Sequence, residues 1–330
     1  MIKLLGIYTL RDTPQPYYWD IVFEWEDQLS KSLNIPLLNV GTQYDKIYKP
    51  SFLKKILNRL NAYQVYDSLL KKPEGYYLAF HIGPPGVYSF HSARNVIPII
   101  IDFWKHENLK RLQSVFSLST CVFITSREVY HYLLSQRVRL PIKHLALSLP
   151  DKYLQTIGGE RDIDVIQIGR SNNTLESYMH QFLNEHAGVH YVYARKGATG
   201  LVIHSNQHGD WGQFKSREDF ISLLRRSKVS LVSAPGLDDD QVRTGGFSPV
   251  TPRFLESAAC GCGMIGIYPD NDDFKYYKID DICVSVRHYH EFKEKLMDLL
   301  SKENFSYDTF LQQHVTSRRA EELKKELSGL

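Results

Sequence analysis

The chain has 330 residues, 43% of them apolar and 23% charged, with a formal net charge of +3, 21 tyrosines and 16 phenylalanines. This balance suits a soluble globular protein large enough for two ordinary domains, and it excludes disordered and low-complexity chains. The charge is uneven: residues 1–150 carry +7 and the remainder −4, which ordinary solubility charge explains as well as an anionic partner does.

Strand and helix patterns alternate from the start. Residues 3–8 predict a buried strand. The apolar run there is too short for a signal peptide, and Arg11 and Asp12 end it without a small-residue cleavage site. A helix over 18–33 and a strand over 36–40 follow. Between 52 and 70, Phe52, Ile56, Leu57, Leu60 and Tyr63 recur at helical spacing. Lys54, Lys55 and Arg59 make that helix basic, so it reads either as a normal surface helix or as a peripheral contact with an anionic membrane. Strands are expected over 76–81, 97–102 and 121–125, with helices near 108–117 and over 126–135, the latter capped by Ser126. Such alternation implies parallel sheets covered by helices on both faces.

Pro150, Gly158 and Gly159 mark residues 149–161 as a linker. A second α/β unit opens with a strand over 164–170. Strands near 189–193, 201–204 and 229–233 continue it, with a helix over 216–227 opened by a capping-box pair, Ser216 and Asp219. Phe292, Leu296, Leu299 and Leu300 mark a late helix. A last helix over 316–327 turns Ala320, Leu323 and Leu327 inward. The expected domains are 1–150 and 151–330, with the last helix able to pack back on the first. No apolar run reaches membrane-spanning length. Cys121, Cys260, Cys262 and Cys283 lack disulfide or zinc spacing and read as reduced, buried thiols of a cytosolic protein.

Tandem units of this kind bind ligands at the carboxyl ends of their strands. The densest chemistry lies over 244–261. Gly245, Gly246, Phe247 and Ser248 form a glycine loop. Thr251 is placed to cap the next helix and Pro252 to occupy its first position. Arg253 and Glu256 share a face, and Gly261 ends the helix before a strand over 264–267. Loop amides followed by a helix start suit an anion, and a carboxylate one turn further in suits a ribose diol. A plain turn and a surface Arg253–Glu256 ion pair are the competing readings. Gly169 and Arg170, ending the second unit's first strand, offer close backbone approach and a forked cation for phosphate.

In the first half, His81 and Asp102 end strands and are candidates for positioning or deprotonating a hydroxyl, with His91 and His106 as further histidines. A hydrogen-bonded histidine and a helix-capping aspartate are equal alternatives. No dinucleotide glycine fingerprint follows the first strand of either unit, which argues against a nicotinamide dehydrogenase. The acidic run Asp238, Asp239 and Asp240 reads as a solvated loop in preference to a metal site, so no metal or cofactor is expected. No nucleic-acid-binding module pattern is present.

These residues resemble a GT-B glycosyltransferase of the group 1 type, most closely over 229–327. Arg253 and Glu256 at their spacing, the small run Ser257, Ala258 and Ala259 before Gly261, and His314 ahead of Arg319 and Ala320 carry the likeness, with the strand over 164–170. The resemblance implies an α/β fold of two Rossmann-like, doubly wound domains facing a central cleft, the first for the acceptor and the second for the donor. It implies metal-independent transfer of a sugar from a nucleotide diphosphate sugar to a hydroxyl of a glycan or glycolipid in cell-surface polysaccharide synthesis. Glu256 would bind the ribose, Arg170 and the loop amides the diphosphate, and Trp211 and Phe214 would lie near the base. Ser248 stands where many retaining members carry a second glutamate, which leaves the stereochemical course open. No lysine closely follows Arg170, so Arg253, Arg195 and Lys196 are the substitutes for a second cation. A nucleotide-sugar epimerase of the same fold and a non-catalytic sugar-nucleotide binding protein are the alternatives.

Overall fold

The computed structural model describes residues 2–40, 56, 73–85, 93–154, 159–169, 172–197, 200–237 and 241–330. Lys54, Lys55, Arg59, His91, Arg170 and Asp238 to Asp240 lie outside the described residues, as does almost all of the expected basic helix. The chain divides into two units, Met1–Leu147 with Thr316–Leu330, and Ser148–Val315. Each is α/β with a mainly parallel sheet, the class that the alternation predicts.

The first unit runs β1 (Leu4–Thr9), α1 (Asp20–Leu33), β2 (Leu37–Asn39), β3 (Tyr76–Ile82), β4 (Val96–Ile101), α2 (Leu109–Val115), β5 (Val122–Ile124), α3 (Arg127–Ser135) and β6 (Ile142–His144). The strands lie in the order β2-β1-β3-β4-β5-β6, and every neighbouring pair is parallel. The order reverses between β1 and β3, which places the carboxyl ends of those strands at a topological switch point.

Local chemistry explains the boundaries. The helix expected from 18 starts as a single 3-10 turn, Tyr17–Trp19, and becomes α-helical at Asp20. Asn34, in left-handed backbone at φ 54°, closes α1. Asn108 caps α2, and the Ser126 hydroxyl accepts from the Val129 amide at 3.2 Å to cap α3. One core joins Ile7, Leu78, Ile97, Ile99 and Phe123 of the sheet to Val22, Trp25 and Leu29 of α1. The closing helix Thr316–Ser328 adds Ala320, Leu323 and Leu327 to the same core. Burial of each of those leucines contributes about 2 kcal/mol. Arg319, itself buried, donates from Nε to the Ala146 carbonyl at 3.1 Å and pairs with Glu322 at 2.7 Å, which ties that helix to the sheet's last connection.

The second unit contains β7 (Ile163–Gln167), α4 (Asn173–Glu185), β8 (Tyr191–Gly197), β9 (Gly200–Ser205), β10 (Gly209–Gly212), α5 (Arg217–Arg225), β11 (Ser227–Ser233), α6 (Gln241–Thr244), α7 (Pro252–Ala259), β12 (Gly263–Ile267), α8 (Asp272–Tyr277), β13 (Val284–Ser285), α9 (Tyr289–Leu300) and α10 (Asp308–Gln313). The sheet order is β10-β9-β8-β7-β11-β12-β13. Pairing is parallel from β8 to β13, while β9 and β10 form an antiparallel extension at one edge. Here the reversal falls between β7 and β11.

Alternation along β11 sorts its side chains. Val229 and Leu231 join the core made with Leu175, Met179 and Phe182 of α4 and Phe292, Leu296 and Leu299 of α9. Ser230, one residue out of phase, meets Ser257 of α7 with hydroxyl oxygens 2.9 Å apart. Helices thus cover both faces. Residues 149–154 are not an open linker: Leu149 is buried, is bridged to Val315 and donates its amide to the His314 carbonyl at 2.9 Å, and Tyr153 is buried in a short 3-10 turn, Asp151–Leu154. All four cysteines are free and buried, and burial pushes the thiols of Cys121 and Cys262 up to about 12.

Candidate functional site

In the second unit, the switch point brings together the end of β7 and the connection from β11 to α7. Gly169 follows β7 in left-handed backbone, φ 96°. Its bare Cα lies against the Arg253 guanidinium: a β-carbon there would stand 2.9 Å from Arg253 Cζ. Only glycine allows that approach. Arg253 also lies over the Phe220 ring, with Cζ 4.0 Å from the centroid, a cation–π contact that fixes the plane of the guanidinium. Phe214 packs edge-on against the other partner in this stack, Phe220, at 5.7 Å.

Glu256 lies one turn along the same helix, 2% exposed. Its Oε1 accepts from Arg217 Nη1 at 2.6 Å, and its Oε2 lies 3.5 Å from Arg253 Nη1. The Arg217 side chain is 11% exposed and also lies over Tyr153, 5.8 Å from the ring centroid. The expected Arg253–Glu256 pair therefore exists, but it is buried and secondary to a contact with Arg217. Arg217 did not stand out in the sequence, although one signal was there. It is the first residue of α5, and a cation in a first turn opposes the helix dipole. Such a residue needs a reason outside its own helix, and Glu256 is that reason. The α5 capping box itself forms as expected, with the Asp219 amide donating to Ser216 at 3.2 Å and the Ser216 amide to Asp219 at 3.1 Å.

Three details of the loop correct the sequence reading. Thr251 has N-cap backbone, φ −98° and ψ 159°, but its hydroxyl makes no capping bond. Pro252 has no amide hydrogen, and the Phe254 amide is directed at the Thr251 carbonyl, 3.3 Å away, so the hydroxyl is not needed. Gly245 and Gly246 have positive φ, yet their amides serve the fold: Gly245 donates to the Gln241 carbonyl at 2.8 Å and Gly246 to Thr244 Oγ1 at 3.2 Å. Phe247 and Ser248 are buried, and the Ser248 carbonyl accepts from Asn271 at 2.9 Å. Gly236, which pattern did not single out, anchors this packing. A β-carbon there would come within 2.6 Å of Thr244 Oγ1. The far end of α7 closes as expected, in a Schellman turn with Gly261 at φ 65° and Cys262 donating to the Ser257 carbonyl.

Trp211 belongs to a different place. It lies on β10, packs edge-on to His190 at 6.0 Å, and has Arg226 over its ring at 5.5 Å. His190 and Arg226 immediately precede β8 and β11, so this cluster marks the amino ends of the strands, opposite Gly169. The cause is the antiparallel extension, which returns the chain to the start of β8: Ser205 pairs with both Val192 and Gly209. Of the expected base contacts, only Phe214 joins the Arg253 cluster. Arg195 is bound to Asp210 at 2.7 Å, and Arg253 is the cation placed at Gly169.

In the first unit, His81 and Asp102 do stand at the carboxyl ends of neighbouring strands. Burial holds His81 below the usual histidine range, which keeps its ring neutral near pH 7, and its Nδ1 lies 3.3 Å from the Ile82 carbonyl. Asp102 is exposed, with φ 56°, a left-handed conformation that costs a non-glycine residue about 1 kcal/mol. A third group, absent from the sequence reading, is Glu26 of α1. It is buried, accepts from the Thr9 hydroxyl at 2.6 Å, and burial pushes it up to about 7. Its signal was a carboxylate within the apolar stripe of Val22, Trp25 and Leu29.

Among the described residues, no group of three or more histidine, cysteine, aspartate or glutamate side chains is placed to hold a metal ion, and no helix is long and apolar enough to cross a membrane. No protein family model matches the chain. No curated protein matches it in sequence. In structure it is similar to the pneumococcal O-GlcNAc transferase GtfA, solved in complex with UDP and GlcNAc. That match has 10% identity and a TM-score of 0.45, and it covers 84% of this chain and 60% of that one. It is also similar to the UDP-GlcNAc 2-epimerase from Methanocaldococcus jannaschii, with 12% identity, a TM-score of 0.43 and full coverage of both chains.

Proposed function

We propose that this chain is a GT-B glycosyltransferase that moves a sugar from a nucleotide diphosphate sugar to a hydroxyl of a glycan or glycolipid. The observation that supports this is the array at the second unit's switch point, where Arg253 lies flat against Gly169 and Glu256 lies beside it, held by Arg217. A guanidinium beside bare backbone at a strand end suits a diphosphate, and an anchored carboxylate about one helical turn away suits a ribose diol. Arg170, next in sequence to Gly169, is the second cation in this reading, and Phe214 contributes to the wall on the base side. Gly245, Gly246, Phe247, Ser248 and Thr251 shape the array and do not donate to the ligand.

In the reaction, the bond from the anomeric carbon to the diphosphate oxygen breaks and the acceptor oxygen bonds to that carbon. The diphosphate gains charge as it leaves, so Arg253 and Arg170 stabilise the transition state more than the ground state. The acceptor hydroxyl gives up its proton to Asp102 or to neutral His81 of the first unit. The process is cytoplasmic in this reading, and it calls on no metal.

Thermal unfolding with UDP, GDP, dTDP and CMP and their sugars tests the donor site. A nucleotide at 100 times its dissociation constant stabilises the native state by about 2.7 kcal/mol. One nucleotide series is expected to raise the melting temperature, with Glu256→Gln losing most of the rise. No shift with any of them at millimolar concentration would refute the reading. Donor incubated alone separates the two enzyme classes, since an isomerised sugar without acceptor marks an epimerase.

A further inference from the structure

The two oxygens of Glu256 are not equivalent. Oε1 is held by Arg217 Nη1 at 2.6 Å, a full charge-assisted hydrogen bond, whereas Oε2 faces Arg253 at 3.5 Å, beyond the range of a good one. Arg217 reaches Glu256 from a separate helix, and its guanidinium is backed by the ring of buried Tyr153. Arg253 is instead fixed by Phe220 and Gly169, contacts that do not involve Glu256.

We propose that Arg217 is a positioning residue for ribose recognition: it grips one oxygen of Glu256 and thereby presents the other to the diol of a ribonucleotide. This rests on the nucleotide-sugar reading. Arg217 touches no part of the ligand. Its work is to fix the carboxylate's rotamer and hold the side chain extended within a buried setting, so that ribose binding does not have to order it. Arg253 keeps its place at the phosphate end. The weak Oε2 contact is the one exchanged for the sugar hydroxyls. The consequence is specific: Arg217 governs the preference for ribose over deoxyribose and leaves the diphosphate's contribution intact.

The test compares each nucleoside diphosphate with its 2′,3′-dideoxy form, UDP with dideoxy-UDP and GDP with dideoxy-GDP, by titration calorimetry on the full chain. Wild type is expected to prefer the ribose form of its cognate base by at least tenfold. Arg217→Gln is expected to reduce that preference to less than threefold while binding the dideoxy form as wild type does. Arg217→Lys, which keeps the charge but not the forked geometry, is expected to fall between them. It also carries the test if the glutamine variant does not fold. A folded Arg217→Gln or Arg217→Lys protein with the wild-type preference overturns the proposal. Equal loss for ribose and dideoxy forms also overturns it, because a structural defect alone would do that. If no nucleoside diphosphate binds wild type, the donor-site reading itself fails, and this proposal with it.

Discussion

Among the described residues, two glutamates are buried, one in each unit, and both stand beside the reversal of strand order. Their surroundings differ. Glu256 has two guanidiniums from two helices, one of them only 11% exposed. Glu26 has a threonine hydroxyl and Arg11, which is 31% exposed and divides its donors among Glu26, Asp27 and the Phe23 carbonyl. At Glu26 burial outweighs these partners and pushes the carboxyl up to about 7. The comparison teaches that a carboxylate at a strand-end crevice takes its character from the cations its neighbours can commit. On the proposed function, the cations at the second unit's edge serve the charged diphosphate, and the weakly ionised Glu26, neutral His81 and exposed Asp102 at the first unit's edge serve the uncharged hydroxyl.

The largest expected effect tests that division directly. Asp102→Asn keeps a residue that tolerates left-handed backbone but removes the base, so turnover should fall by about 100- to 10,000-fold if Asp102 takes the proton. Nucleotide affinity, measured by calorimetry, should not change. Turnover within a factor of three of wild type would move the role to His81.

Next in size is Glu256→Ala, which leaves two guanidiniums facing a cavity. Breaking a buried pair this way costs about 3–5 kcal/mol, read as a lower urea midpoint, besides the loss of nucleotide binding. Loss of less than about 1 kcal/mol would show the pair to be solvated and the contrast with Glu26 to be false.

Glu26→Gln should act in the opposite sense, and only as pH rises above about 4.5. The folded carboxyl titrates near 7 and the unfolded one near its ordinary 4.5. Below about 4.5 both states hold the proton. Between there and 7 the unfolded chain has released it while the folded chain retains it, so wild-type stability falls as pH rises and levels off beyond 7. Glutamine cannot ionise. At pH 8 the variant should gain on the order of 2–3 kcal/mol relative to its standing against wild type at pH 4. Melting curves between pH 4 and 8 decide it, and parallel curves for the two proteins would discount the buried acid.

The smallest expected effect is that of a chelator. On the proposed function, in which Arg253 and Arg170 meet the leaving diphosphate, EDTA should change turnover by about twofold at most, since cations of the chain would supply the charge stabilisation. Loss of turnover restored by a divalent ion would place a metal at the second unit's edge after all.

Much of this was legible in the sequence because its signals are local. Alternating apolar periods marked the strands and helices, Gly261 closed a helix through its own backbone, and Ser126 and Ser216 capped helices through atoms three residues away. Glu256 and Arg253 were visible because one turn of helix puts them on one face. Tertiary structure alone decided the rest. Arg217 meets Glu256 across 39 residues, and Gly169 meets Arg253 across 84, contacts no local pattern encodes. Trp211 lay near the right helix in sequence but at the wrong end of the sheet, because a short antiparallel extension carried it back to where the strands begin. The glycine loop showed the same limit. Composition established that Gly245 and Gly246 could take left-handed backbone, but which acceptor claims an amide depends on what folds against it. Here the loop's own carbonyl and hydroxyl do so. Conformational preference belongs to the residue and its neighbours in sequence; a partner across the core is fixed only when the sheet is assembled.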